Sequence, residues 1–259
     1  MKKVKKNIDK TKSWEVSADR YVGFIDIMGF KDMLTRRTHE EVHELMRNVS
    51  KSVSSIQSVY SVDYESEADF AVNITMILFS DSIMVFTRDD EPHSLENLVA
   101  SISALSDSLF SDGIPHKGAI AYGKMTLDVE KSIFFGQPLV DAYLLQEELK
   151  FYGIVVHGTA EQIGDINEDE SVIEFNCPFK NGFAKHLTVA PGVSLTYDFK
   201  EKAVDELIEK VLKFRVRTSG ALRKYVDNTL EYLGFVKTEG LRILKAEYEE
   251  VEDDEREDC

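Results

Sequence analysis

Arg20–Phe30 reads RYVGFIDIMGF. Apolar, β-branched and aromatic residues fill seven of its eleven positions, and Gly29 closes the run. That is the pattern of a buried strand ending in a turn. Asp26 sits inside it, where an ionised carboxylate is costly unless a cation or a metal ion pairs with it. Beyond the turn the period changes. Val42, Leu45, Met46, Val49, Val53, Ile56 and Tyr60 recur at three- and four-residue spacing, which predicts a helix of several turns. An acidic loop, Asp63 to Asp69, follows. FAVNITMILF and SIMVFT then read as a hairpin, with Ser80-Asp81 as its turn. A turn aspartate often serves only its own backbone. Set beside Asp26, Asp81 completes a pair of hard oxygen ligands. Mg²⁺ takes a few carboxylates together with substrate phosphates and water. The turn Ile27-Met28-Gly29-Phe30, entering a helix, offers backbone N–H groups suited to phosphate.

Further along, Glu91-Pro92 opens a second long helix, ended by Gly113. HKGAIAYGKMTLDV is a strand with SIFFG as its partner, and PLVDAYLLQEEL is a third helix, with proline in the first turn as helices tolerate. GIVVHG is another strand, and SVIEFNC and HLTVA are weaker ones. A hairpin set among strand–helix units predicts an α+β fold, a mostly antiparallel sheet with packed helices. From about Phe199 the chain turns helical and charged. The expected organisation is a basic N-terminal arm (1–19), one sheet-based domain (20–198), a C-terminal helical extension (199–246) and a disordered acidic tail (247–259).

The 259 residues carry a formal net charge of −16. Half of it lies in Glu247 to Cys259, with nine acids and one arginine. An acidic chain repels polyanions, so neither nucleic acid nor an anionic membrane is an expected partner. Two cysteines give no disulfide framework. Six lysines open the chain, but no apolar segment follows them as in a secretion signal. No run approaches a membrane span, so a soluble cytoplasmic protein is expected.

Four motifs stand in order: FIDIMGF, FSDSI, KGAIAYG and FFGQPLVDAYLLQEE. Together they resemble the class III nucleotide cyclases over roughly Arg20 to Gly158. Among these, the bacterial Pycsar pyrimidine cyclases are most similar, combining F-S-D-S-I, an A-Y helix and a C-terminal helical extension. The resemblance implies that Asp26 and Asp81, with the Ile27 backbone, hold two Mg²⁺ or Mn²⁺ ions. It implies a nucleoside triphosphate substrate bound through Ile27, Met28, Gly29 and Phe30, and a homodimer with the active site at its interface. It further implies a cyclic nucleotide that activates a separate antiphage effector. Adenylyl cyclases carry a purine-reading lysine four residues before the hairpin aspartate. Ile77 stands there and offers no hydrogen bond to a base, which turns the expectation from ATP towards UTP or CTP, with UTP slightly preferred. The arginine that purine cyclases place on the third helix falls at Leu144 or Leu145. Lys31, Arg36, Lys117 and Lys124 are nearby basic residues, read here as solvated or structural. A cyclase fold without turnover is the alternative expectation.

His39-Glu40-Glu41-Val42-His43 matches the H-E-x-x-H zinc motif. Glu41 and Glu44 make its surroundings those of a solvent-facing helix, and the third ligands on offer, Glu65 or Glu67, lie in the acidic loop. Two exposed histidines are expected, as are strand-edge or loop positions for His116, His157 and His186.

Overall fold

The computed structural model describes residues 14–60, 73–163, 166, 171–192 and 201–257. The acidic loop expected at Asp63 to Asp69, with Glu65 and Glu67, lies outside them, as does the arm up to residue 13. The strands are β1 (Ser17–Ile27), β2 (Ile74–Phe79), β3 (Ser82–Thr87), β4 (His116–Asp128), β5 (Ile133–Gly136), β6 (Ile154–Val156), β7 (Val172–Phe179) and β8 (Gly182–Val189). They form one eight-stranded sheet in the order β2-β3-β1-β4-β6-β8-β7, with β5 paired to β4. Every pairing is antiparallel except β4 with β6. The α+β reading from the sequence is therefore the fold observed.

The helices are α1 (Phe30–Arg36), α2 (His39–Tyr60), α3 (Pro92–Ser111), α4 (Gln137–Glu148), α5 (Gly158–Glu161), α6 (Glu201–Arg215) and α7 (Gly220–Glu257). Strand alternation sorts them onto two faces. Tyr21, Ile25 and Ile27 of β1 pack with Val49 and Val53 of α2 and with Leu95, Leu98, Ile102 and Leu109 of α3. On the opposite face Phe24, Ala119, Ala121 and Val155 pack with Ala142 of α4, Val204 and Leu207 of α6, and Tyr225, Tyr232 and Leu233 of α7. The helices of the expected C-terminal extension thus share a core with the central strands. The last helix also takes in the acidic residues from Glu247 to Glu257 that were expected as a frayed tail.

The arm expected over 1–19 ends earlier. β1 pairs with β4 from Ser17↔Thr126 onward, and Trp14 is buried with Val22, Phe86, Met125 and Leu127. Central position also explains Gly118 in KGAIAYG. β4 is clasped between β1 and β6, and a Cβ at Gly118 would lie 2.6 Å from the Phe24 carbonyl oxygen and 2.8 Å from Ile154 Cδ1.

Candidate active site

The two aspartates come together through backbone pairing. Asp26 is the cross-strand partner of Ser82 on β3, the residue after Asp81. The Ile27 N–H donates to the Asp81 carbonyl at 2.8 Å and so ties the β2–β3 turn to the end of β1. Ser80 reverses the chain there with φ 55°. One row of cross-strand neighbours runs Phe79, Ser82, Asp26 and Lys117 on a single face of the sheet. The row behind it runs Ile77, Met84, Phe24 and Ala119. Ile77, the expected base-reading position, is half-buried against the cluster built on Trp14, Val22 and Phe86.

Asp26 is half-buried, and its carboxyl is pushed up to about 6. Burial is the largest cause, and the charge of Asp81 adds to it; Lys117 opposes the rise and Glu147 reinforces it. Buried, mutually repelling carboxylates are an arrangement that a cation relieves. Among the described residues no group of three or more His, Cys, Asp or Glu side chains is placed to hold a metal ion. Two carboxylates would leave most of a divalent ion's coordination to other donors, as Mg²⁺ sites commonly do.

The turn expected to meet phosphate has fewer open N–H groups than the sequence suggests. Met28 donates its N–H to the Pro115 carbonyl at 2.8 Å, and the Ile27 N–H is taken by Asp81. Both N–H groups are thus already committed to backbone carbonyls, unlike the expectation that they are open to a triphosphate. Gly29 adopts φ 78° as the N-cap of α1, and a Cβ on it would meet nothing within 4 Å. The glycine is needed for its left-handed backbone, and the space beside it is open.

Lys117 is the residue whose place the sequence hid. It is 3% exposed, lies across from Asp26, and donates to the Glu147 carbonyl at 3.4 Å. Burial pulls its ammonium down, while Glu147 and Asp26 pull it back up. Leu144 is 55% exposed, and Leu145 packs on the α4 side of the core, so α4 brings no cation from either position. A cavity of about 490 Å³, lined by Trp14, Arg88, Asp89 and Lys124 among others, opens at the far end of β1 and includes neither aspartate.

The zinc motif dissolves. His39 and His43 are exposed on α2, and Glu41 forms a reciprocal cap with Thr38: Thr38 N–H to Glu41 Oε2 at 2.8 Å, and Glu41 N–H to Thr38 Oγ1 at 3.2 Å. That capping box commits Glu41, next to the motif's Glu40, to the start of α2. His116 differs from its expectation. It begins β4 fully buried against Phe110 and Ser106, and burial holds its imidazole down at about 4.

No protein-family model matches the chain, and no curated protein matches it. Solved structures do. The catalytic core of a rhodopsin-guanylyl cyclase with converted specificity, in complex with ATPαS, aligns at TM-score 0.51 and 13% identity, over 67% of this chain and 96% of that one. The guanylate cyclase domain of RhGC from Catenaria anguillulae, in complex with GTP, aligns at 0.50 and 12%, over 67% and 97%. A non-canonical dimeric guanylyl cyclase domain of the RhoGC fusion protein from the aquatic fungus Blastocladiella emersonii aligns at 0.51 and 12%, over 67% and 97%. The shared feature is the fold: a class III cyclase-type sheet with its helices.

Proposed function

We propose that this protein is a nucleotide cyclase that converts a pyrimidine nucleoside triphosphate, UTP in preference to CTP, into the 3′,5′-cyclic monophosphate and pyrophosphate. The observation that carries the reading is the nearness of Asp26 and Asp81 at the joined ends of β1 and the β2–β3 turn, where Asp26 pairs with Ser82 and the Ile27 N–H donates to the Asp81 carbonyl. It is supported by a cyclase-type fold around that pair.

In this reading Asp26, Asp81 and the Ile27 carbonyl hold two Mg²⁺ or Mn²⁺ ions. When bound, such ions supply the acidity that activates the ribose 3′-hydroxyl and offset charge on the leaving pyrophosphate. The chain's own residues set the stage. β1 and the tied hairpin turn fix both carboxylates on rigid backbone, Gly29 and Phe30 offer N–H groups to the triphosphate, and Ile77 presents an apolar wall that gives a purine no hydrogen-bond partner. Phe79, Val140, Tyr143 and Leu144 are exposed apolar residues on β2 and α4. Such a set favours a homodimer that covers this side of the sheet. The cyclic product would act as a second messenger on a separate effector in antiphage defence, as the resemblance to Pycsar cyclases implies.

The test is substitution. Asp26→Ala and Asp81→Ala should each abolish pyrophosphate release from UTP with Mn²⁺ while leaving circular dichroism unchanged; turnover retained by either refutes the assignment. One observation favours a second reading, a nucleotide-binding module without turnover: α4 has leucines where purine cyclases have arginine. Metal-dependent nucleotide binding by calorimetry with no product would select it.

A further inference from the structure

β1 outruns one of its neighbours. It pairs with β4 from Ser17 to Ile27 but with β3 only from Val22 to Asp26. In an antiparallel ladder the main-chain groups of successive residues point to opposite sides. The Tyr21 N–H is taken by Thr87 Oγ1 at 2.9 Å and the Ile27 N–H by the Asp81 carbonyl, so the odd-numbered residues of β1 face the β3 side. Ser17 and Asp19 therefore turn their N–H and C=O groups to a side that β3 has already left, and among the described residues nothing pairs with them there. Thr87 closes the fork, since its hydroxyl also donates to the Asp89 carbonyl at 2.7 Å. Beyond it lies the cavity of about 490 Å³, which Glu15, Ser17, Asp19 and Asp90 line together with Trp14, Arg88, Asp89 and Lys124.

Two further features mark this gap. The lining leans acidic, with Glu15, Asp19, Asp89 and Asp90 against Arg88 and Lys124. Arg88 is spent on Asp89 at 2.7 Å, and Lys124 stands across the ladder from Asp19, which leaves Glu15 and Asp90 in surplus. Beneath the lining Arg20 is fully buried. It donates to the Glu15 carbonyl at 2.7 Å and lies 5.7 Å from the centre of the Trp14 ring, and its Nε is left without a partner. The floor is thus fixed, while the strand edge above it is open.

We propose that the fork between β1 and Arg88–Asp90 is a docking groove for an extended, lysine- or arginine-bearing peptide of another protein, which adds to the open edge of β1 as a short strand. Main-chain pairing to Ser17 and Asp19 supplies the hold, as in other cases of strand addition. The surplus acids at Glu15 and Asp90 select cationic side chains. Asp19 lies roughly 24 Å along β1 from Asp26 at the rise of an antiparallel strand, so the groove is separate from the nucleotide site and does not rest on the function proposed above.

Fluorescence anisotropy on the full chain tests this, with a labelled octapeptide of alternating lysine and valine as the probe. Two companion peptides separate the forces. One is the same octapeptide methylated at every backbone nitrogen, which keeps the charge and removes edge pairing; the other alternates glutamate and valine. The lysine–valine peptide should saturate the protein, and each companion should bind about tenfold or more weaker. Glu15→Lys with Asp90→Lys should weaken the lysine–valine peptide about tenfold or more at unchanged circular dichroism. If that double variant does not fold, Glu15→Gln alone should weaken it about twofold or more. No saturable binding, equal binding of either companion, or no effect of the charge changes overturns the proposal. Replacing Lys2, Lys3, Lys5, Lys6, Lys10 and Lys12 by serine should leave the peptide's affinity within about twofold. A rise beyond that would make the chain's own amino terminus the occupant, and dissociation of a dimer by the peptide in sedimentation would make it a second copy; either result overturns the proposal.

Discussion

Replacing Asp26 by asparagine should make the metal-free protein more stable while destroying its chemistry. The carboxyl of Asp26 is pushed from its ordinary 3.8 to about 6, chiefly by burial and then by Asp81. A carboxyl raised in the folded state costs no stability below its unfolded value, and the cost grows as pH climbs through the folded value. The window is therefore about pH 4 to 6, and above it the cost is complete. A displacement of that size corresponds to about 3 kcal/mol, trimmed to about 2 kcal/mol by the solvent that reaches a half-buried group. Asparagine mimics the protonated acid, so Asp26→Asn should gain about 2 kcal/mol over wild type at pH 7.5 in EDTA and much less at pH 4.5. Urea denaturation at the two pH values reads this directly. The buried groups His116 and Asp107, whose own ionisation is displaced by burial, titrate in both proteins, so the comparison cancels them. Mn²⁺ at a hundredfold excess over its dissociation constant should then stabilise the wild type by about 2.7 kcal/mol, and Asp26→Asn by far less. An Asp26→Asn protein less stable than wild type at pH 7.5 in EDTA would refute the claim that this carboxylate is held at a cost for a cation.

Gly118→Ala places a Cβ 2.6 Å from the Phe24 carbonyl at the centre of the sheet. It should lower stability by about 1–3 kcal/mol in urea titrations; a neutral result would mean that β4 is not clasped as described. Thr38→Ala breaks the cap shared with Glu41 and should cost about 1 kcal/mol. His39→Ala with His43→Ala should change neither stability nor turnover, and elemental analysis should find no stoichiometric zinc; zinc lost on that double substitution would revive the metalloprotease motif. Leu144→Glu puts a charge on the exposed apolar set of α4. Sedimentation should then report monomers and turnover should fall more than about tenfold; an unchanged dimer would place the interface elsewhere.

The parts of this fold written in short-range pattern were readable. The apolar run around Asp26, the three- and four-residue spacing from Val42 to Tyr60, and two β-rich runs flanking Ser80-Asp81 each announce their own element. The parts set by long-range pairing were not. Lys117 in HKGAIAYG resembles a surface lysine, because its burial comes from β4 lying between β1 and β6 and from α4 crossing above it. Trp14 and Ser17 belong to the core only because β4 is long enough to pair with the start of β1. The N–H groups of Ile27 and Met28 looked available for phosphate, and only the tertiary positions of Asp81 and Pro115 take them away. For the C-terminal helices, an amphipathic pattern announces a buried face without saying what covers it; Tyr225, Tyr232 and Leu233 find it on the sheet.

The most direct test of the central claim is the product. The protein is incubated separately with ATP, GTP, CTP and UTP in Mn²⁺, and each reaction is resolved by mass spectrometry. The account predicts a 3′,5′-cyclic pyrimidine monophosphate, from UTP above CTP, that is absent for Asp26→Ala and Asp81→Ala. No cyclic nucleotide from any of the four, or the same yield from the alanine variants, would contradict it.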